Sequence, residues 1–338
     1  MTDWFQRLTG FRERDITGPM ADQFLIEGEF ITSRGNGRRM RAGTFETPTL
    51  AELQSRVKQL GDEQLSGPVQ VRKHIGDVED LHLDSNNAGA LIQAASQFNA
   101  LEMPSPTVTP EDGIAAYEHD HTQGPACAIA CGAGTILRNY LIERPDGTRG
   151  QRADSQVDCL EDLISECGTS FTMSNGYALP SSEQLREANT HISGLTGPER
   201  EALGARLRIA VMHHTEVTAL GMSQPGHTVT QAYCSALPLG YSSHAQADWE
   251  PLARLVLDAT YDATLNAARI NAAFTGNPNA YLTLVGGGVF QNPILWIVEA
   301  IERALTRHQD SGLHVGLVSF RHPNAAIKHL VTVPSWRP

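Results

Sequence analysis

LTLVGGGVFQNPILWIVEAIERAL, residues 282–305, reads as a buried strand, a turn of three glycines and a helix. The apolar run from Tyr281 has the length of a strand covered on both faces, and Pro293 suits the first turn of a helix. Gly286, Gly287 and Gly288 admit positive φ and let a ligand come close to the backbone. The helix after them turns its unpaired N–H groups toward the same point, so the turn reads as an anion site that needs no basic side chain. A tight turn that only packs strand against helix is the alternative, and glycines alone do not decide between the two. No Lys-Ser/Thr follows as in a P-loop, and the GxGxxG spacing of a dinucleotide-binding unit is absent.

The neighbouring segments extend the same pattern. HVGLVSF (314–320) reads as a strand and PNAAIKHLV as a short helix. WEPLARLVLDATYDATLNAARI (249–270) is an amphipathic helix with Leu252, Leu255, Val256, Ala259, Ala263 and Leu265 on one side. TVTQAYCSAL (228–237), GALIQAAS (89–96) and PVQVRKHIGD (68–77) read as strands. Helices are expected from Gly124-Pro125 toward Tyr140, over 156–167 and within 182–208, with a surface turn at ERPDGTRGQ (143–151). This alternation implies an α/β fold whose sheet is largely parallel with helices on both faces. Ahead of it, residues 23–48 read as a hairpin turning at Asn36-Gly37, and Thr49-Leu-Ala-Glu52 is a capping box that opens a helix. The division expected is an N-terminal extension, 1–67, packed on a main domain, 68–338, with a helical elaboration near 182–208.

A chain of 338 residues with net charge −12 and no lysine- or arginine-rich block is poorly suited to wrapping nucleic acid. No apolar run approaches the ~20 residues of a membrane span. MTDWFQRLTGFRERD carries charges of both signs and no apolar core, so no secretory leader is read there. Five cysteines without repeated spacing do not make a disulfide framework, and a cytoplasmic setting fits them. Cys127 and Cys131 stand four apart on an expected helix, where buried packing is favoured over the start of a zinc site. His213-His214 has no third ligand at useful spacing, so no metal is expected.

Taken as a block, residues 282–305 resemble the segment of macrodomains in which a strand ends in a Gly-Val-Phe/Tyr-Gly turn before a helix. Gly76-Asp77-Val78 resembles that family's Gly-Asp-Ile/Val, and ALIQAASQFNALE (90–102) its Asn-Ala-Ala-Asn strand and loop. The resemblance spans about residues 68–335 and implies a three-layer macrodomain-like fold with a mixed, largely parallel sheet. It also implies that ADP-ribose is the ligand. Its diphosphate would lie on Gly286, Gly287, Gly288, Val289 and Phe290, with Asn292 beside them, and its adenine amino group would donate to Asp77. Two departures stand out: the glycine run that ordinarily follows the first loop is missing, and so is the Gly-Gly-Gly…Gln-Glu-Glu signature of poly(ADP-ribose) glycohydrolases. The chain is similar to a divergent branch that includes the Legionella effector MavL, which implies removal of ADP-ribose from arginine side chains of a protein substrate, with no cofactor required.

Cleavage at the anomeric carbon of ADP-ribose builds positive charge on the ribose, which carboxylates stabilise while activating water. Glu102, Asp112 and Asp120, on the loop that would flank the distal ribose, are the catalytic candidates. A helix cap is the alternative for Asp120 and a turn residue for Asp112. Glu102, in the apolar Ala-Leu-Glu-Met, should meet a ligand or a partner. Gln93, Asn99 and Gln123 are candidates for the ribose hydroxyls, or else satisfy loop backbone. Asp158 and Asp162, four apart on an expected helix, read as a solvated face. The leading expectation is thus an ADP-ribosylhydrolase, with a non-catalytic ADP-ribose reader and an NAD-dependent hydride-transfer enzyme as competitors.

Overall fold

Val71, Leu91, Ile92, Ala94, Val229, Ala232, Ala280, Leu282, Val315 and Leu317 all sit in strands and are all buried. A sheet apolar on both sides has to be covered on both sides. A computed structural model describes residues 2–61, 66–144, 146–221 and 226–333 and has that architecture. Helix α1 (Trp4–Thr9) precedes a three-stranded antiparallel sheet of β1 (Phe24–Glu27), β2 (Phe30–Ser33) and β3 (Arg39–Arg41). Then come β4 (Thr44–Glu46), α2 (Leu50–Leu60), β5 (Gln70–Ile75), α3 (Val78–Leu83) and β6 (Leu91–Ala95). A long segment with two short 3-10 turns leads to α4 (Gln123–Ala130) and α5 (Gly132–Ile136). After α6 (Glu161–Glu166) and the small hairpin β7 (Met173–Ser174) and β8 (Tyr177–Ala178) follow α7 (Ser182–Gly194) and α8 (Gly197–Gly204). The chain continues through β9 (Ala210–Glu216), β10 (Thr228–Cys234), α9 (Gln246–Thr275), β11 (Asn279–Leu282), α10 (Ile294–Arg307) and β12 (His314–Ser319).

The main sheet runs β4-β9-β10-β6-β11-β12-β5. From β10 to β5 every pairing is parallel, while β9 joins β10 and β4 joins β9 antiparallel. Helices α2, α7, α8 and α10 pack around α9 on one face, and α3, α4 and α5 cover the other. This is the three-layer, mixed and largely parallel arrangement expected. Among the described residues, no helix is long and apolar enough to cross a membrane.

Four local readings need correction. The stretch 23–48 is not one hairpin. QFLIEGEFITS folds back at Gly28, whose φ is +59°, and Asn36-Gly37 makes the next turn. MRAGTFETP divides at Gly43, with φ +83°, where a Cβ would lie 2.0 Å from the His213 carbonyl oxygen. That close approach steers β4 into the main sheet. The expected helix over 156–167 begins only at Glu161, because the Asp158 carboxylate accepts from the Leu160 and Glu161 amides and holds the chain out of the helix. The helix after residue 122 breaks at Cys131, resumes as α5 and ends in a π turn at Leu137–Leu141. Finally, β9 went unread. The turn at 143–151 is present around Gly147, although Pro145 lies outside the described residues. The capping box at Thr49 forms as expected.

One buried hydroxyl fixes how the chain leaves β11. Tyr261 on α9 donates to the Thr283 carbonyl (2.7 Å) and accepts from the Val285 amide (3.0 Å). Tyr261→Phe leaves both backbone groups without a partner in a dry setting. It should cost roughly 1–3 kcal/mol in urea unfolding; an unchanged midpoint would show that the hydroxyl carries no strain-free constraint there.

Candidate active site

The glycine turn is built from below by Asn292. Its amide donates to the Gly286 carbonyl (2.9 Å) and its Nδ2 to the Leu237 carbonyl (2.8 Å). Of the three glycines Gly286 alone takes positive φ, +81°, and a Cβ there would lie 2.4 Å from the Ala236 Cβ. Gly287 is confined by Ile297 Cδ1 and the Leu284 carbonyl, each 3.2 Å from its would-be Cβ, whereas Gly288 faces open space. Gly240 donates to the Phe290 carbonyl, and a Cβ on it would meet the Val289 carbonyl at 2.5 Å. Phe290 is buried against Tyr177 and Tyr241. Among the described residues the amides of Gly286, Gly288, Val289 and Phe290 have no protein acceptor. A run of unpaired backbone N–H groups is an anion-binding concavity.

The loop after β6 is locked into its shape by amides. Gln97 Oε1 accepts from the Met103 amide (2.7 Å), and Tyr177 Oη donates to the Met103 carbonyl (2.7 Å). Ala100 adopts φ +61°, which turns Leu101 and Glu102 inward. Gln123 ties the start of α4 to the end of β6, accepting from the Ala95 amide and donating to the Gln93 carbonyl. Gly124 permits that approach, because a Cβ would lie 2.3 Å from the Ala95 carbonyl and 3.0 Å from Glu102 Cγ.

Glu102 is therefore a buried carboxylate at the end of the central strand. Its Oε1 is 3.3 Å from Nη1 of Arg138, a fully buried arginine that also donates to the Ala100 carbonyl and to Thr135 Oγ1. The guanidinium lies 3.6 Å over the ring centre of Tyr233. Among the described residues Glu102 Oε2, a buried atom, has no partner. Burial raises the carboxyl from its usual 4.5 to about 7, against the pull of Arg138. Arg138 keeps its charge: burial opposes it, but Glu102 and the flanking tyrosines hold its pKa above the ordinary value.

These pieces line one cleft of about 1050 Å³ at the carboxyl ends of β5, β6, β11 and β12, the usual ligand position in open α/β sheets. Asp77, Glu102, Asp120, Gln123, Gly286, Gly287, Gly288, Val289 and Phe290 all border it. Asp77 also caps α3 by accepting from the Glu79 amide, and Asp120 accepts from the Thr122 amide just ahead of α4. Four expected residues are not brought to it. Asp112 is exposed and caps Thr109. Gln93 is fully buried, bonded to Thr264 and the Thr283 amide. Asn99 bonds Gln156 and the Leu101 amide. Asn292 supports the turn from behind. The cleft adds residues that sequence reasoning missed: Trp4 and Arg7 of α1, Tyr117, Glu118, and Phe320-Arg321 after β12.

The remaining candidates lie elsewhere. His213 bonds Glu46, and the His214 ring stacks on Phe274. Asp162 pairs with Arg208. All five cysteines are free and buried. Among the described residues, no group of three His, Cys, Asp or Glu side chains is placed to hold a metal.

No protein-family model matches the chain, and no curated protein matches it. Among solved structures it is similar to a poly(ADP-ribose) glycohydrolase from Thermomonospora curvata, with 13% identity over 90% of this chain and 92% of that one and a TM-score of 0.44. The same enzyme bound to the inhibitor ADP-HPD gives the same figures. A poly(ADP-ribose) glycohydrolase from Deinococcus radiodurans in complex with ADP-ribose is 10% identical over 84% of this chain and 92% of that one, with a TM-score of 0.42.

Because a side chain at Gly288 meets nothing within 4 Å, Gly288→Asp tests the turn without disturbing the packing. Its carboxylate stands beside the unpaired amides and repels a phosphate. Affinity for a phosphate-bearing ligand, with ADP-ribose as the probe, should fall by at least about tenfold in calorimetry with the melting temperature little changed. Unaltered affinity would make the turn purely structural.

Proposed function

We propose that this protein is an ADP-ribosylhydrolase that removes ADP-ribose from arginine side chains of a protein substrate. One observation carries the reading: unpaired amides suited to a diphosphate and a buried carboxylate with a free oxygen share a single cleft. ADP-ribose would run from Asp77 across the glycine turn, with its distal ribose at Glu102.

In this reading the ionised Glu102 takes a proton from water as the water oxygen bonds to the anomeric carbon. The carbon–nitrogen bond breaks and its electron pair leaves with the guanidine. That guanidine, neutral on departure, takes up the proton held by Glu102. Asp120 and Glu118, both at the cleft, attract the cationic guanidinium beforehand. A serine linkage offers no such cation. Arg138 keeps Glu102 in place and lets it ionise near neutral pH, where a general base works best.

Glu102→Gln and Asp120→Asn should each lose hydrolysis of arginine-linked ADP-ribose but keep ADP-ribose affinity within about tenfold, roughly 1.4 kcal/mol. Asp112→Asn, outside the cleft, is the control and should retain the wild-type rate. The wild-type rate should rise with pH through about 7 as Glu102 ionises, and Glu102→Gln should erase that limb. Release of ADP-ribose from arginine-, serine- and glutamate-linked substrates tests the whole. Cleavage of serine-linked substrate alone would refute the arginine assignment, and tight binding with no cleavage would make the protein a reader.

A further inference from the structure

We propose that the N-terminal segment, residues 3–16, positions the carboxylate-bearing loop of the cleft, and that Glu13 is its positioning residue. This rests on the reading of Glu102 and Asp120 given above. The described apolar core has two parts. Val285, Phe290 and Ala94, beside the glycine turn and the central strand, belong to the large one. Leu101 and Met103, which flank Glu102, and Ile114 and Tyr117 belong to a second core together with Trp4, Phe5 and Leu8. From Leu101 to Tyr117 the acid-bearing stretch is thus packed on the front of the chain, whereas Phe98 and Ala100 before it share the large core with the glycine turn.

Glu13 makes the polar link between them. Its carboxylate accepts from the Ile114 amide (3.0 Å), the Ala115 amide (2.8 Å) and the Tyr140 hydroxyl. These two amides open the 3-10 turn Ala115–His119, which ends at Asp120. Gly113 lets the carboxylate in: its φ is +94°, and a Cβ would sit 2.3 Å from Glu13 Oε2. Trp4 adds two bonds, from Nε1 to the Ile114 carbonyl (3.1 Å) and from its amide to Glu118 Oε2 (3.0 Å). The turn then reaches the reacting group, because Tyr117 Oη accepts from the Glu102 amide (3.0 Å). Glu13 does not line the cleft, so it acts through Tyr117 and the turn. Removing it leaves two amides and a hydroxyl without their acceptor, a cost that the turn escapes by moving.

The test compares wild type with Glu13→Ala and with the milder Glu13→Gln, which retains one acceptor oxygen and covers the case in which the alanine variant fails to fold. ADP-ribose affinity should stay within about threefold, while kcat on the cleaved linkage falls at least about tenfold with KM little changed. Amide hydrogen exchange should quicken at 101–103 and 114–120 but not at 283–292. Exchange that is unchanged in the first two segments, or equally faster in all three, overturns the proposal. If the wild type cleaves no linkage, the catalytic reading fails by itself and the exchange pattern still decides on the latch.

Discussion

An arginine and a glutamate stripped of water are costly in a protein interior unless their remaining donors and acceptors are met. Arg138 meets that demand in part, through the Ala100 carbonyl, Thr135 and the face of Tyr233, while its Nε has no partner among the described residues. Glu102 is likewise met on one side only: its Oε1 faces Arg138, and its buried Oε2, beside the cleft, has no partner among the described residues. This half-satisfied buried pair is the physical feature on which the proposed site depends. In the proposed reading, a buried carboxylate oxygen that no protein group occupies can take a ligand's proton donor without first breaking a protein bond. Its raised pKa is the same fact expressed as protonation, because burial withholds the solvation that would favour the ion.

Everything around that pair serves to bring it against the glycine turn. Gly124 brings the start of α4 against the end of β6, and Gln123 stitches the two together. Gln93 and Tyr261 join β6 and α9 to the chain leaving β11. The turn and the carboxylate therefore rest on neighbouring parallel strands but on different apolar cores.

What the sequence disclosed follows from how local each signal is. The apolar run, three glycines and Pro293 mark β11, the turn and α10 because each residue acts on its own neighbours. The Thr49 capping box is legible for the same reason. Strand β9 is not, since His213, His214 and Glu216 break the apolar alternation, His214 has φ +51° and the pairing with β10 shifts register. Gly28 lies inside a run that otherwise reads as one strand, so the fold-back there passes unnoticed. Gln93, Asn99 and Asp112 have the right chemistry for a ligand, but the fold spends Gln93 on Thr264 and the Thr283 amide, Asn99 on Gln156 and the Leu101 amide, and Asp112 on Thr109. Arg138 and the front segment leave no local mark at all. A buried arginine is rare, and Glu13 meets Ile114 only through the tertiary fold.

In the proposed reading a diphosphate lies on the unpaired amides of Gly286, Gly288, Val289 and Phe290, and the sugar beyond it meets Glu102. Calorimetric titration with ADP-ribose and with AMP tests this most directly, because AMP lacks the second phosphate and the distal ribose. ADP-ribose should bind more tightly by at least about tenfold, or ~1.4 kcal/mol. Equal affinity for the two ligands would contradict the account.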